Sequence, residues 1–113
     1  MPEEANFARI VFTTASTPDE AKRLARTLVE EQLAACVTLI PSVRSIYRWE
    51  GKVEDSTESL LMIKTSVEQL AALEARLHEL HSYDTPEFLA LRVEAGSRGY
   101  LDWMLENLGR REP

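Results

Sequence analysis

Two long runs of strand-forming residues flank a single turn at Glu50-Gly51-Lys52, and they constrain the chain more than any other feature. The outgoing run passes through Ala34-Ala35-Cys36-Val37-Thr38-Leu39-Ile40-Pro41 and Ser45-Ile46-Tyr47-Arg48-Trp49. The return runs from Val53 to Leu60-Leu61-Met62-Ile63-Lys64-Thr65. A strand usually holds about five or six residues, whereas each arm here has room for about a dozen. A hairpin of that length outgrows the core of a 113-residue chain and projects beyond it. Ala34 to Ile40 is small and apolar throughout, which predicts a strand covered on both faces. Pro41 lacks an N–H and belongs at an edge, a bulge or a break. Beyond it Val43, Ser45, Tyr47 and Trp49 share one side, and Arg44, Ile46, Arg48 and Glu50 the other. The stretch Glu54-Asp55-Ser56-Thr57-Glu58 makes the tip wet, while Leu60 to Ile63 makes the base dry. Such a ribbon is an aggregation-prone edge in a lone copy, so pairing with further copies into a closed homo-oligomer is expected.

The remaining segments supply what the hairpin packs against. Arg9 to Thr14 reads as a first strand. Thr17-Pro18-Asp19-Glu20 combines a capping threonine, a proline at the first helical position and a glutamate three residues after the cap, so a helix starts there. Ala21, Leu24, Ala25, Leu28 and Val29 form its apolar stripe. Ser66-Val67-Glu68-Gln69 has the pattern of a second capping box, opening a helix lined by Leu70, Leu73, Leu77 and Leu80. His81-Ser82-Tyr83-Asp84 ends that helix, Phe88 to Val93 alternates as a strand, and Ser97 caps a third helix carrying Leu101, Met104, Leu105 and Leu108. Two β-α-β crossovers with helices on one side of an antiparallel sheet define an α+β, ferredoxin-like split-βαβ sandwich, here with a long protruding β-hairpin and an extra C-terminal helix. The chain is expected to be a single domain over 1–113, with residues 1–7 a flexible start.

Charge and composition exclude several functions. Nineteen acidic residues against thirteen basic ones give a net charge of −6. A protein that grips a phosphate backbone needs a basic face, so nucleic acid is not an expected partner. No apolar run reaches the length that spans a bilayer, and the acidic start lacks the features of a secretory signal. One cysteine cannot form an intrachain disulfide, which fits a reducing, cytoplasmic setting. There is no nucleophile elbow, glycine-rich phosphate loop, His-Glu-x-x-His or paired Cys-x-x-Cys, so no enzyme is expected.

The Ala34-Ala35-Cys36-Val37 strand, the Ser45-Ile46-Tyr47-Arg48-Trp49-Glu50-Gly51-Lys52 hairpin, the Leu61-Met62-Ile63-Lys64-Thr65 return and the motif His81-x-Tyr83-x-x-Pro86-Glu87 resemble the CutA divalent-cation tolerance family. The likeness runs from Arg9 to Leu108. It implies a ferredoxin-like subunit assembled into a homotrimer through its hairpins, similar in plan to the PII signalling trimers. It also implies a role in tolerance to copper and other divalent ions, with metal bound weakly and without turnover. Three positions depart from other members. Leu80 stands where some carry a second histidine, and Thr13 and Thr14 stand where some carry cysteines.

Candidate site residues each carry two readings. His81, at a helix end, can meet unpaired carbonyls or serve as a copper or zinc ligand, with Tyr83, Glu87 or a neighbouring copy completing the shell. Cys36 is a small buried hydrophobe or, where symmetry gathers several thiolates, a soft copper ligand. Tyr47, Trp49, Glu58 and Lys64 can line a cleft between copies. There Lys64 would attract a small anion and Trp49 would form an apolar wall, in the manner of a small-molecule sensor. Alternatively, Tyr47 and Trp49 anchor the contact between copies or to another protein.

Overall fold

The computed structural model describes residues 5–110. Its elements follow the order βαββαβα: β1 (Ala8–Ala15), α1 (Pro18–Glu30), β2 (Cys36–Trp49), β3 (Lys52–Ser66), α2 (Leu70–Leu80), β4 (Leu89–Arg92) and α3 (Arg98–Glu106). The strands form one antiparallel sheet in the order β2-β3-β1-β4. This is the ferredoxin-like arrangement, each βαβ unit being split by the strand of the other.

The hairpin has the expected length. β2 has 14 residues and β3 has 15, and at about 3.3 Å per residue an arm spans about 46 Å. The molecule measures 45 × 25 × 24 Å, so the hairpin sets its long axis. The radius of gyration, 14.8 Å, exceeds the roughly 13 Å of a compact chain of this size. β1 pairs with β3 only from Ser59 to Ser66, so from Glu58 outward the ribbon is two-stranded. Its turn is the two-residue loop Glu50-Gly51 between the paired Trp49 and Lys52. Both loop residues have positive φ, as the hairpin turn that matches strand twist demands. Pro41 lies where the register slips by one residue between Ile40 and Val43, a β-bulge on the edge strand, with Ser42 at φ 60°.

Helices α1 and α2 cover one face of the sheet. Leu24 and Leu28 of α1 and Leu73 and Leu77 of α2 pack on Val11, Ala15, Leu61 and Ile63. The opposite face is covered only at one end, where Leu101 and Met104 of α3 pack on Ala5, Ala8 and Ala35. Elsewhere that face is open and apolar. Ile10, Phe12, Leu60 and Met62 are half-buried, and Leu89 and Leu91 are 60% and 48% exposed.

Four expectations need correction. The flexible start over 1–7 holds for none of the described part: Ala5 is fully buried, Phe7 packs beside it, and the Phe7 carbonyl accepts a 2.7 Å bond from Val67 N–H. Residues 1–4 lie outside the described residues. The Ala34 to Ile40 segment is not covered on both faces; its strand portion is the sheet edge, half-exposed from Cys36 to Leu39, because no further strand flanks it. Ser66 makes no side-chain cap, since a 3₁₀ turn over Val67–Gln69 precedes α2 and the Gln69 amide instead donates to the Gly109 carbonyl. Ser97 likewise begins α3 without a side-chain cap, and Leu105 faces solvent.

Helix α1 ends in a Schellman arrangement, with Leu33 N–H on the Leu28 carbonyl and Gln32 N–H on that of Val29, both at 3.0 Å. Gln32 occupies the left-handed position at φ 59°, where a side chain is strained and glycine is not. Replacement Gln32→Gly is expected to raise stability by about 1 kcal/mol, read as a higher urea midpoint at unchanged slope. A lower midpoint would contradict the capping account.

Candidate functional site

Where the ribbon leaves the sheet, a polar network ties the start of α1, the end of α2 and β3 together. It begins with local chemistry at α1. Thr17 caps the helix, its hydroxyl accepting from Glu20 N–H at 3.1 Å. The Glu20 side chain does not return to Thr17 as a closed capping box would. It turns inward, 4% exposed, and accepts from the Ser16 hydroxyl at 3.0 Å, Ser16 N–H at 3.3 Å and Ser82 N–H at 2.8 Å. Burial acts to raise its pKa, but the hydrogen bonds from Ser82 and Ser16 outweigh it and hold the carboxyl below the ordinary value.

His81 follows the last turn of α2, whose Leu77 carbonyl accepts from His81 N–H at 2.9 Å. Its imidazole is fully enclosed. Nε2 donates to the Thr14 carbonyl on β1 at 2.7 Å, and Nδ1 accepts from Tyr83 N–H at 3.0 Å. Those partners assign the neutral Nε2–H tautomer. The carbonyl it meets thus belongs to a strand and not to its own helix. Glu20 Oε2 lies 3.7 Å from Nδ1. Tyr83, its ring centroid 4.7 Å from that of the imidazole and tilted by 42°, donates its hydroxyl to Glu58 Oε2 at 2.7 Å. Burial, and then the bond to Glu58, push the Tyr83 phenol well above its usual range. Glu87, an exposed residue, feels the same carboxylate: partial desolvation, then the charge of Glu58, raise its pKa. Tyr47 joins from the ribbon, hydrogen-bonded to Ser56 at 3.0 Å.

Glu58, Tyr83 and His81 are therefore brought to one place, with Tyr47 beside them and Glu87 within range of the Glu58 charge. Trp49 is not, standing 59% exposed beside the ribbon turn. Lys64 is six residues along β3 from Glu58, about 20 Å, and belongs to a separate group. Its ammonium donates to the Thr38 hydroxyl and lies 3.7 Å from Cys36 Sγ, a thiol that Tyr100 of α3 also reaches. The expected cleft set therefore divides in two within a single copy.

Fitness for a metal follows from the donors. Both His81 nitrogens are committed, one as donor and one as acceptor, so neither offers a free lone pair in this conformation. Cys36 has an ammonium at its sulfur, which repels a cation. His81, Cys36 and Glu87 do not form one shell, and among the described residues no group of three or more His, Cys, Asp or Glu side chains is placed to hold an ion. The pair Glu58 and Glu87 has the opposite character: hard oxygen donors whose mutual repulsion a cation would relieve.

Sequence reasoning missed Glu20, Ser16 and Ser82. The only signal was Ser16 preceding Thr17, a second donor able to draw the glutamate away from the cap.

A ferredoxin-like fold with an overlong hairpin and a His-Tyr-Glu knot at its base places the chain among small single-sheet α+β proteins. The family model of the CutA1 divalent ion tolerance protein matches residues 9–107. The chain is 44% identical over 100 residues to the divalent-cation tolerance protein CutA of Thermus thermophilus, covering 88% of this chain and 97% of that one. It is 42% identical over 95 residues to the chloroplastic protein CutA of Arabidopsis thaliana, covering 84% of this chain and 52% of that longer one. The crystal structure of CutA1 from Oryza sativa superposes with a TM-score of 0.92 at 37% identity, over 96% of this chain and 99% of the other. The chain belongs to the CutA1 divalent ion tolerance family.

Because the Glu20 pKa is depressed on folding, its contribution to stability is present above the unfolded carboxylate pKa and is lost as pH falls through the folded one. Glu20→Gln is expected to cost about 1–3 kcal/mol at pH 7, and the difference from wild type should shrink as the pH is taken below about 4. Urea titrations at several pH values check this; a pH-independent difference would contradict the role of the carboxylate charge.

Proposed function

We propose that this chain works as a closed assembly of three copies that takes up divalent cations, copper among them, without chemical turnover. The observation that carries the reading is the bare apolar sheet face continuous with a two-stranded ribbon. Ile10, Phe12, Leu60, Met62, Leu89 and Leu91 present an apolar surface of the kind soluble monomers rarely leave exposed. An edge strand and a projecting ribbon on one subunit offer two different contact surfaces. Copies joined through two different surfaces close into a ring when the rotation allows it, and three is the number the family resemblance implies.

Glu58 and Glu87 are the donors that suit a divalent cation, because they repel one another and an ion between them would replace that repulsion with attraction. His81 then serves as the support that orients Tyr83, which in turn holds Glu58. A single pair of carboxylates makes a weak site, which fits a tolerance role better than a resident cofactor. The absence of turnover is supported by the chemistry of the knot: its histidine has no free base nitrogen, and its tyrosine is held protonated by burial and by Glu58. Among the described residues no helix is long and apolar enough to cross a membrane. The half-exposed free thiol of Cys36 fits the reducing cytoplasm. A second reading, small-molecule sensing in clefts between copies, is favoured by the Lys64 group, which has no carboxylate partner within the subunit.

Sedimentation velocity tests the assembly: wild type is expected to run as three copies at micromolar concentration, and Leu89→Glu, at an exposed position, to shift the mass towards one copy. A single-copy wild type would overturn the reading. For the cation, titration calorimetry with Cu(II) is expected to show binding weakened about tenfold or more by Glu87→Gln and unchanged by Cys36→Ala. The reverse pattern would transfer the site to the thiol.

A further inference from the structure

Across the open face of the sheet, β2, β3, β1 and β4 set Cys36, Lys64, Ile10 and Leu91 in one row and Thr38, Met62, Phe12 and Leu89 in the next. Lys64 is the one charged residue among these eight. An ammonium has three N–H donors. One goes to the Thr38 hydroxyl and one points to Cys36 Sγ at 3.7 Å, both neutral acceptors, and the second a weak one. The third is left over, and among the described residues no carboxylate lies within ion-pair distance of the charge. Elsewhere Arg26, Arg44 and Arg76 all have acidic partners, in a chain with nineteen acids to thirteen bases. A half-buried cation flanked by apolar side chains and neutral acceptors is an electrostatic vacancy for a negative group.

Helix α3 completes the surroundings, bringing Tyr100 beside the Cys36 thiol at the one end of this face that the chain covers itself. A negative group seated on the ammonium would find the Tyr100 hydroxyl nearby as a second donor and Ile10 and Leu91 as an apolar floor for the rest of the molecule. A neighbouring copy laid over the remaining face would exclude water and strengthen the attraction.

We propose that Lys64, flanked by Thr38, Cys36 and Tyr100, is the anion-recognising subsite of the cleft between copies and takes the carboxylate or phosphate group of a small molecule. This rests on the assembly reading above, and the test keeps the two apart. Amide ¹H–¹⁵N spectra of the full chain are followed while inorganic phosphate, benzoate and, as a cationic control, benzylamine are added, with mass monitored by sedimentation in the same buffers. Saturable shifts at Cys36, Thr38, Lys64 and Ile10 with at least one anion and none with benzylamine are expected. Lys64→Met should weaken binding about tenfold, the scale of one charge-assisted hydrogen bond, while Lys64→Arg, which keeps the charge, retains it.

No saturable shift with either anion, or equal shifts in wild type and Lys64→Met, would overturn the subsite. Loss of assembly in Lys64→Met, with no anion bound by wild type, would assign the ammonium to an acidic side chain of the neighbouring copy and equally overturn it. A wild type of single-copy mass would count against the assembly reading alone, since the spectra report the subsite independently.

Discussion

A four-stranded antiparallel sheet has two faces to cover, and helices α1 and α2 cover only one of them. On the other, α3 reaches as far as Ala8 and Ala35 and leaves Ile10, Phe12, Leu60, Met62, Leu89 and Leu91 against solvent. The ribbon compounds the deficit. Beyond Glu58 it has no third strand, and Ile46, Trp49 and Val53 are each more than half exposed. Apolar area left in water forgoes about 25 cal/mol for each Å² that burial would recover, so the shape of the subunit itself favours association. The long hairpin and the open face are two expressions of one constraint: the helices of this chain leave apolar surface that the proposed assembly would cover.

The polar knot lies beneath the ribbon, where the third strand ends. Glu20, His81, Tyr83 and Glu58 join α1, the end of α2 and β3 by side-chain bonds of 2.7 to 3.3 Å. They fix the 81–87 segment where the two-stranded ribbon begins. Its chemistry is positional: the histidine bridges a strand carbonyl and a loop N–H, the buried glutamate gathers three donors, and the tyrosine donates a hydrogen bond to a second carboxylate. What remains for a ligand lies at the margins, in the Glu58 and Glu87 pair and in the distant Lys64 group. The two are opposite in charge and about 20 Å apart along β3.

Much of this plan was legible in the residues. The order of elements followed from periodicity and from Thr17-Pro18, and the hairpin from its two strand-forming arms and Gly51. The register was not: the turn was expected over Glu50-Gly51-Lys52, whereas Lys52 pairs with Trp49, and only with the bulge at Pro41 does Cys36 meet Lys64. What else was not legible depended on contacts between segments remote in sequence. The Glu20 side chain left its cap for Ser82, 62 residues away, and the Gln69 amide for Gly109, 40 residues away. Local signals marked both as capping residues and carried no information about these partners. The same limit divided the expected cleft set, because Glu58 and Lys64 share a strand face but not a neighbourhood.

In the proposed assembly the open face and the ribbon are covered by further copies. Hydroxyl-radical footprinting tests it directly, through oxidation of Met62 on the face and Trp49 near the turn. Both should be protected at concentrations where the assembly holds and become reactive together on dilution below it. Reactivity that stays, at every concentration, at the level set by the exposure of Met62 and Trp49 in a single copy would mean that the face is open to water in solution, and would contradict coverage by further copies.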